Sequence, residues 1–404
     1  MNSTQSAGSG ETGRTWIGKL TLTDFRNYRS ATLISTPAPA VLFGANGAGK
    51  TNCLEAISLL TAGRGLRSLP FSELARSGGA GGWAVAARVH AGAEEIEIGT
   101  GVQVPPGGVP GVRTPRVVRI GGTPAKSSGA LARVRMVWLT PAMDSLFTGA
   151  ASERRRFIDR LTLSLDPAYA GAAAMFDRAM RQRNKALEDM SPPKLLDGIE
   201  VQMAEAAAAM AHMRHRAIEA LAAGIEAERV RTPDSAFPWA ALSLQGQLEA
   251  QAGSTPLEEM QRSYASSLAH GRERDQAAGR TLAGPHRSDL EVMHGPKAMP
   301  AKMCSTGEQK ALLVGLALAQ ARLVREVSGG IAPLILLDEI AAHLDVERRT
   351  ALFSSIASLD AQVWMTGTDS AMFAPLQDAT AVQFFRVSDG TFAHMDGAES
   401  GSNS

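Results

Sequence analysis

Short apolar runs alternate with helical patterns along much of the chain. Residues 40–43 and 334–337 are wholly apolar, and 134–139 and 363–366 are also strand-like. A helical pattern at 308–327 precedes one of these runs. Short apolar strands that alternate with helices are typical of a buried, mainly parallel sheet. The pattern therefore predicts an α/β fold.

The middle of the chain has a different pattern. From about residue 152 to 280 it is helical, and residues 201–230 lack proline and are rich in Ala, Glu and Met. That stretch is long enough for one helix of about 45 Å at 1.5 Å per residue. Alternating positions predict strands over 16–34 and over 83–120, the latter split by a Gly/Pro-rich loop at 101–115.

These patterns predict a split α/β head with a helical arm inserted into it. The predicted head comprises residues 16–151 and 281–395, and the predicted arm comprises residues 152–280. The small, polar ends, residues 1–15 and 396–404, are expected to be disordered tails.

Composition limits the possible partners. The formal net charge of the 404 residues is only +1, so any DNA-binding surface must be a local patch. The two cysteines, Cys53 and Cys304, are far apart in sequence, which favours free thiols in a reducing cytoplasm. No window approaches the roughly 18 apolar residues of a membrane span.

A glycine-rich motif provides the strongest chemical signal. It matches G-x-x-x-x-G-K-[ST] at every fixed position and consists of Gly44, Ala45, Asn46, Gly47, Ala48, Gly49, Lys50 and Thr51. In such a loop the backbone N–H groups surround phosphates, the lysine neutralises the β- and γ-phosphates, and the threonine hydroxyl binds Mg²⁺. The apolar strand before the motif and the helical pattern after it favour this interpretation over an ordinary glycine turn. The predicted ligands are ATP and Mg²⁺.

Two carboxylates follow the apolar run at 334–337. We expect Asp338 to bind Mg²⁺ and Glu339 to polarise the attacking water. The alternative is a charged end to a core strand, but the phosphate loop in the same chain favours the catalytic interpretation.

A third motif opens the helix predicted at 308–327. Ser305 and Glu308 have the spacing of a capping box, and helix N-termini also attract anions. The segment resembles the S-x-G-[GQE]-Q signature of ABC ATPases. The resemblance implies that Ser305, Gly307, Glu308 and Gln309 of one subunit close over nucleotide held by another, and that Asp345, in a His-Leu-Asp segment, lies at the dimer seam.

Four further segments resemble the RecF family in particular: 22–28, 63–67, 154–159 and 284–289. The resemblance implies an ABC-ATPase head, ATP-dependent homodimers, slow ATP hydrolysis and cytoplasmic duplex-DNA binding near single-strand gaps. It also implies that the protein helps RecO and RecR load RecA in gap repair, replication-fork maintenance and the SOS response. Arg26 would lie over the nucleotide phosphates. The chain departs from many ABC heads because 137–141 lacks a glutamine and 365–369 offers hydroxyls where a histidine is common.

A basic run at residues 178–185 is the candidate DNA surface. Helical spacing places Arg178, Arg181 and Lys185 on one face, while Arg183 belongs to the same run. Such a face can follow DNA phosphates without reading sequence, although a solvated helix face is the equal alternative. Alternatives for the whole chain are the ATPase subunit of a membrane transporter and a coiled-coil chromosome protein. The insertion is too short for the long heptad arms of the latter.

Overall fold

The computed structural model describes residues 13–104, 115–125 and 133–397. Most of the predicted N-terminal tail, most of the Gly/Pro-rich loop and residues 398–404 lie outside these ranges. The chain divides into two compact units: Met1–Ala142 with Asp234–Phe237 and Leu313–Ser404, and Met143–Pro233 with Pro238–Leu312. The predicted head and arm boundaries at residues 151 and 281 stay a prediction.

The first unit contains a six-stranded, largely parallel sheet in the order β15-β14-β3-β13-β12-β8. Its strands are β3 (Ala40–Phe43), β8 (Met136–Leu139), β12 (Leu334–Leu337), β13 (Val363–Gly367), β14 (Gln383–Ser388) and β15 (Thr391–Met395). Only β15 pairs antiparallel, at the edge. Every residue of β3 and β12 is buried, as expected for strands covered on both faces. The predicted mainly parallel sheet is confirmed.

A second, antiparallel sheet in this unit has the order β2-β1-β4-β5-β6-β7. Its strands are β1 (Thr15–Phe25), β2 (Tyr28–Ile34), β4 (Trp83–Ala91), β5 (Glu94–Val102), β6 (Val117–Ile120) and β7 (Thr123–Pro124). β1 begins inside the stretch predicted as a tail, because Thr15 N–H donates to the Ala332 carbonyl. Alternating burial along β4, with Trp83, Val85, Ala87 and Val89 inward, matches its sequence pattern.

Helices form most of the second unit. The described α-helices of the chain are α1 (Lys50–Ser58), α2 (Ala151–Leu165), α3 (Tyr169–Glu188), α4 (Pro193–Arg231), α5 (Leu257–His270), α6 (Arg272–Ala277), α7 (Thr306–Val327), α8 (Val346–Leu359) and α9 (Ala374–Ala379). α4 has 39 residues and begins with a proline at its first turn, where no intrahelical donor is needed. Small buried residues, including Ala207 and Ala211, allow its neighbours to pack closely.

One strand was missed within the block predicted to be helical. β9 (Ala240–Gln245) pairs antiparallel with β10 (Asp289–His294), which in turn pairs with β11 (Met299–Pro300). Pro233 and Pro238 separate β9 from α4, and its Ala-Ala-Leu-Ser-Leu-Gln pattern alternates in burial. The prediction was wrong here because pairing with the distant strand β10, from Gln245 with Asp289 to Ala240 with His294, decides the structure, and the short pattern alone does not reveal that pairing.

Candidate functional site

The phosphate loop connects the buried strand β3 to α1, so a fixed strand end and a helix N-terminus meet there. Gly44 and Gly49 have φ angles of 146° and 116°. A Cβ at Gly44 would lie 2.4 Å from the Val387 carbonyl oxygen, and one at Gly49 would lie 2.5 Å from Asn27 Nδ2. Both positions therefore require glycine for conformation and for space.

Lys50 lies inside this loop. Its Nζ donates to the carbonyl oxygens of Gly44 at 2.7 Å and Ala45 at 2.9 Å. Burial lowers the pKa of Lys50 below its ordinary value, whereas Glu339 and Asp338 act in the opposite direction. The ammonium is thus held within the loop, where a phosphate oxygen could replace the carbonyl contacts.

The structure brings Asp338 to the phosphate loop. The Thr51 hydroxyl donates to Asp338 Oδ1 at 2.9 Å, and the Thr366 hydroxyl donates to the same oxygen at 2.8 Å. Burial raises the pKa of Asp338, and both hydroxyls oppose that rise. A hydroxyl and a carboxylate are hard oxygen ligands of the kind that Mg²⁺ prefers beside substrate phosphates, so these residues fit the cation.

Glu339 follows Asp338 with a left-handed backbone, φ 55°. This conformation is uncommon for a residue other than glycine and is found preferentially at functional sites. Its N–H donates to Thr366 Oγ1 at 2.8 Å. The sequence did not predict that Thr366 would contact both acidic residues.

A cleft of about 720 Å³ adjoins the phosphate loop within the first unit. It is lined by Gly44–Ala48 of the loop, by Thr368 and Asp369 after β13, and by residues 386–390 at the end of β14. Its size suits a nucleotide, because small-ligand pockets typically enclose a few hundred to about 1,000 Å³.

Arg26 contacts Glu55 on α1, the helix that follows the phosphate loop. Its Nε and Nη2 donate to the two carboxylate oxygens of Glu55 at 2.8 and 3.1 Å, and its Nη1 donates to the Glu73 carbonyl. Arg67 Nη1 donates to the same Glu55 and to Asn52. One buried carboxylate thus serves two arginines, which leaves net positive charge beside the phosphate-loop helix. The predicted contact of Arg26 with phosphates stays a prediction.

The predicted signature residues begin α7 in the second unit: Ser305, Gly307, Glu308 and Gln309. Glu308 accepts the Ser305 N–H at 2.9 Å, as in a capping box, and also pairs with Lys297. These contacts lower the pKa of Glu308 to about 2, first through Lys297 and then through Ser305. Gln309 Nε2 donates to the Cys304 carbonyl at 2.9 Å. The ordered helix start can accept an anion, but its role in a dimer stays a prediction.

Asp345 is the N-cap of α8 in the first unit. Its side chain accepts the Arg348 N–H at 2.8 Å, and the two side chains also form an ion pair. This contact accounts for the local structure of the segment. Its predicted position at a dimer seam stays a prediction.

The basic run separates into two kinds of residue on α3. Arg178, Arg181 and Lys185 are exposed, and Lys185 pairs with Glu188 and Asp189. Arg183, in contrast, is fully buried. It donates to Glu200 at 2.9 Å, to Asp275 at 2.7 Å, and also to Thr281 and the Leu268 carbonyl. Arg183 is therefore a structural residue, in agreement with its position off the face that carries Arg178, Arg181 and Lys185.

Two of the segments that resemble the RecF family, 154–159 and 284–289, contact each other in the second unit. Arg154 Nε and Nη2 donate to the two oxygens of Asp289 at 2.6 and 2.9 Å, and Arg155 donates to the Ser288 carbonyl at 2.8 Å. The fork-like pairing fixes the start of β10 against α2. These arginines therefore have an internal structural role.

The fold and the order of motifs define an ABC-type P-loop head with a helical insertion. A DNA replication and repair protein RecF from Mesorhizobium japonicum is 51% identical to this chain over 388 residues, covering 95% of the chain and 99% of the relative. Another from Rhizobium etli is 52% identical over 376 residues, covering 93% and 97%. The chain therefore belongs to the RecF family.

Solved structures agree with the fold. A structure of the recombination mediator protein RecF-ATPrS in the RecFOR pathway matches with a TM-score of 0.81 at 20% identity, covering 96% of this chain and 100% of that one. A RecF-ATP structure matches with a TM-score of 0.80. No protein-family model matches the chain. No helix among the described residues is long and apolar enough to cross a bilayer.

Proposed function

We propose that this protein is an ATP-dependent DNA-binding recombination mediator. The observation that carries the proposal is the contact of Thr51 with Asp338 beside the ordered phosphate loop. Two segments separated by 287 positions meet there with the hydroxyl, carboxylate and ammonium that a Mg²⁺-nucleotide requires. The structure of a RecF-ATP form with the same fold supports ATP as the ligand.

ATP hydrolysis would serve as a switch. Lys50 would neutralise the β- and γ-phosphates, Thr51 and Asp338 would hold Mg²⁺, and Glu339 would orient the attacking water. In the ATP-bound dimer, the start of α7 from one subunit would contact the nucleotide of the other, and Asp345 would lie at the seam. Slow turnover would release the dimer.

Replacing Ser305 with arginine should keep ATP binding and abolish the ATP-dependent dimer. The bulky cation would occupy the helix start on which the other subunit's nucleotide is expected to dock. Sedimentation velocity with ATP and Mg²⁺ measures the dimer, and equilibrium dialysis measures nucleotide binding. Ser263→Arg, the same change on the exposed surface of α5, is the matched control and should still dimerise. A dimer formed by Ser305→Arg would contradict the role of the signature.

Duplex DNA is the proposed partner of the exposed face of α3. Replacing Arg178 and Arg181 together with alanine should weaken duplex binding and reduce the slope of log K against log salt by about 1.8, at about 0.9 per phosphate contact. Fluorescence anisotropy over a salt series measures both quantities. The matched double variant Arg216→Ala/Arg262→Ala removes two exposed cations elsewhere in the second unit. Equal effects of the two double variants would argue against this face.

The names of the relatives support the biological role. Relatives that match nearly the whole chain are named DNA replication and repair proteins, and a protein with the same fold is described within the RecFOR pathway. We therefore propose binding near single-strand gaps, action with RecO and RecR in loading RecA, and roles in gap repair, fork maintenance and the SOS response. The comparisons give no support to the membrane-transporter alternative.

A further inference from the structure

The hydroxyl of Thr366 lies between the two acidic residues of the site. It is buried at the end of β13, which pairs with β12 on one side and with β3 on the other. Met365 pairs with Leu337, and Thr366 pairs with Leu42. This register places Thr366 beside Asp338 and next to the strand that leads into the phosphate loop.

The direction of both hydrogen bonds is fixed by chemistry. A threonine hydroxyl has one proton and can also accept. Because the Glu339 N–H can only donate, Thr366 Oγ1 accepts from it at 2.8 Å. The Thr366 hydroxyl therefore donates its one hydrogen bond to Asp338 Oδ1, at an oxygen–oxygen distance of 2.8 Å. One side chain thus holds a backbone group of one acidic residue and the carboxylate of the other.

These contacts constrain the acids in different ways. Asp338 Oδ1 accepts one hydrogen bond from the Thr51 hydroxyl and one from the Thr366 hydroxyl, and these two bonds restrain the position of that oxygen. Glu339 has φ 55°, an uncommon conformation that the Thr366 hydrogen bond supports. If this bond were lost, the backbone of Glu339 could relax and its carboxylate would turn away from its present direction.

We propose that Thr366 is a positioning residue that couples the proposed Mg²⁺-binding carboxylate to the residue that orients the attacking water. This inference rests on the proposed ATPase function. Threonine suits the position because its branched side chain has few rotamers and the space is enclosed. Removing a residue that hydrogen-bonds to a metal ligand typically changes metal affinity or activity about 10- to 100-fold.

The test uses the full-length protein with four variants: Thr366→Val, Thr366→Ser, Thr366→Ala and Thr15→Val. Valine keeps the shape and removes both hydrogen bonds. Serine and alanine differ from each other by the hydroxyl alone, so this pair remains informative if the valine variant folds poorly. Thr15→Val is the matched control for a buried strand threonine whose side chain contacts neither acid.

Three quantities separate positioning from a purely structural role: kcat for ATP hydrolysis, the Mg²⁺ concentration for half-maximal rate, and ATP affinity without Mg²⁺. We expect Thr366→Val and Thr366→Ala to lower kcat about 10- to 100-fold and to raise the Mg²⁺ requirement. Their affinity for ATP in the absence of Mg²⁺ should stay within about twofold. Thr366 is proposed to act on the Mg²⁺-binding carboxylate and on Glu339, so its removal should change metal affinity and activity rather than nucleotide binding itself. Thr366→Ser and Thr15→Val should resemble the parent protein.

Three results would overturn the inference. The first is a Thr366→Val protein with unchanged kcat and Mg²⁺ dependence, and the second is equal impairment of the serine and alanine variants. The third is lower thermal stability with unchanged Mg²⁺ dependence, which would assign Thr366 a structural role only. If the parent protein itself neither binds nor hydrolyses ATP, the proposed function fails, which is a different outcome from failure of the positioning role.

Discussion

Replacing Lys50 with alanine is expected to weaken ATP binding by roughly 30-fold to several thousandfold and to prevent ATP-dependent dimerisation. Removing one member of a buried, hydrogen-bonded charge pair typically costs about 2–5 kcal/mol of binding, and each 1.4 kcal/mol is a factor of ten. Lys50 is buried in the loop, and its Nζ lies within 2.9 Å of two loop carbonyls.

Isothermal titration with ATP and Mg²⁺ measures this effect. Lys19→Ala, an exposed position on β1, is the matched control and should bind ATP like the parent protein. Far-ultraviolet circular dichroism should be the same for all three proteins. Unchanged affinity and dimerisation of Lys50→Ala would show that the glycine loop does not hold the triphosphate.

Replacing Arg183 with leucine is expected to lower the free energy of unfolding by about 3–5 kcal/mol, because it leaves buried carboxylates without their cation. Glu200 and Asp275 are each about 2% exposed, and both accept from Arg183. Arg272 also donates hydrogen bonds to Glu200, whereas the second cation near Asp275 is the exposed Arg274, whose Nη2 lies 3.7 Å from Asp275 Oδ1. We therefore expect Asp275 to be the more strongly affected acid.

Urea denaturation followed by fluorescence and circular dichroism measures the loss of stability. Arg181→Leu makes the same substitution two positions earlier on the exposed face of α3, and its effect should stay within about 0.5 kcal/mol. Similar losses in the two variants would contradict the structural role of Arg183.

Local sequence was sufficient for the parts of the site that lie within one segment. The phosphate loop needs glycines at fixed spacing between a strand and a helix, and all of these features are contiguous. The capping contact of Glu308 with Ser305 also spans only three positions, and the structure confirms it. The apolar runs predicted β3, β12 and β13 because strands buried on both faces carry few polar residues.

Contacts between distant segments were not predictable in this way. Glu55 lies on the buried side of α1, but only the fold shows that Arg26 and Arg67 share it. Thr366 contacts residues 27 and 28 positions away, and Arg183 contacts Asp275 across 92 positions. Charge and spacing alone do not distinguish a buried arginine from an exposed one on the same helix.

The central claim is that ATP joins two copies of this chain through the phosphate loop and the start of α7. Sedimentation velocity of the full-length protein, with and without ATP, Mg²⁺ and duplex DNA, tests it most directly. We expect a monomer without nucleotide, a dimer with ATP and Mg²⁺, and a faster-sedimenting complex when duplex is added. A protein that stays monomeric under all of these conditions would contradict the claim.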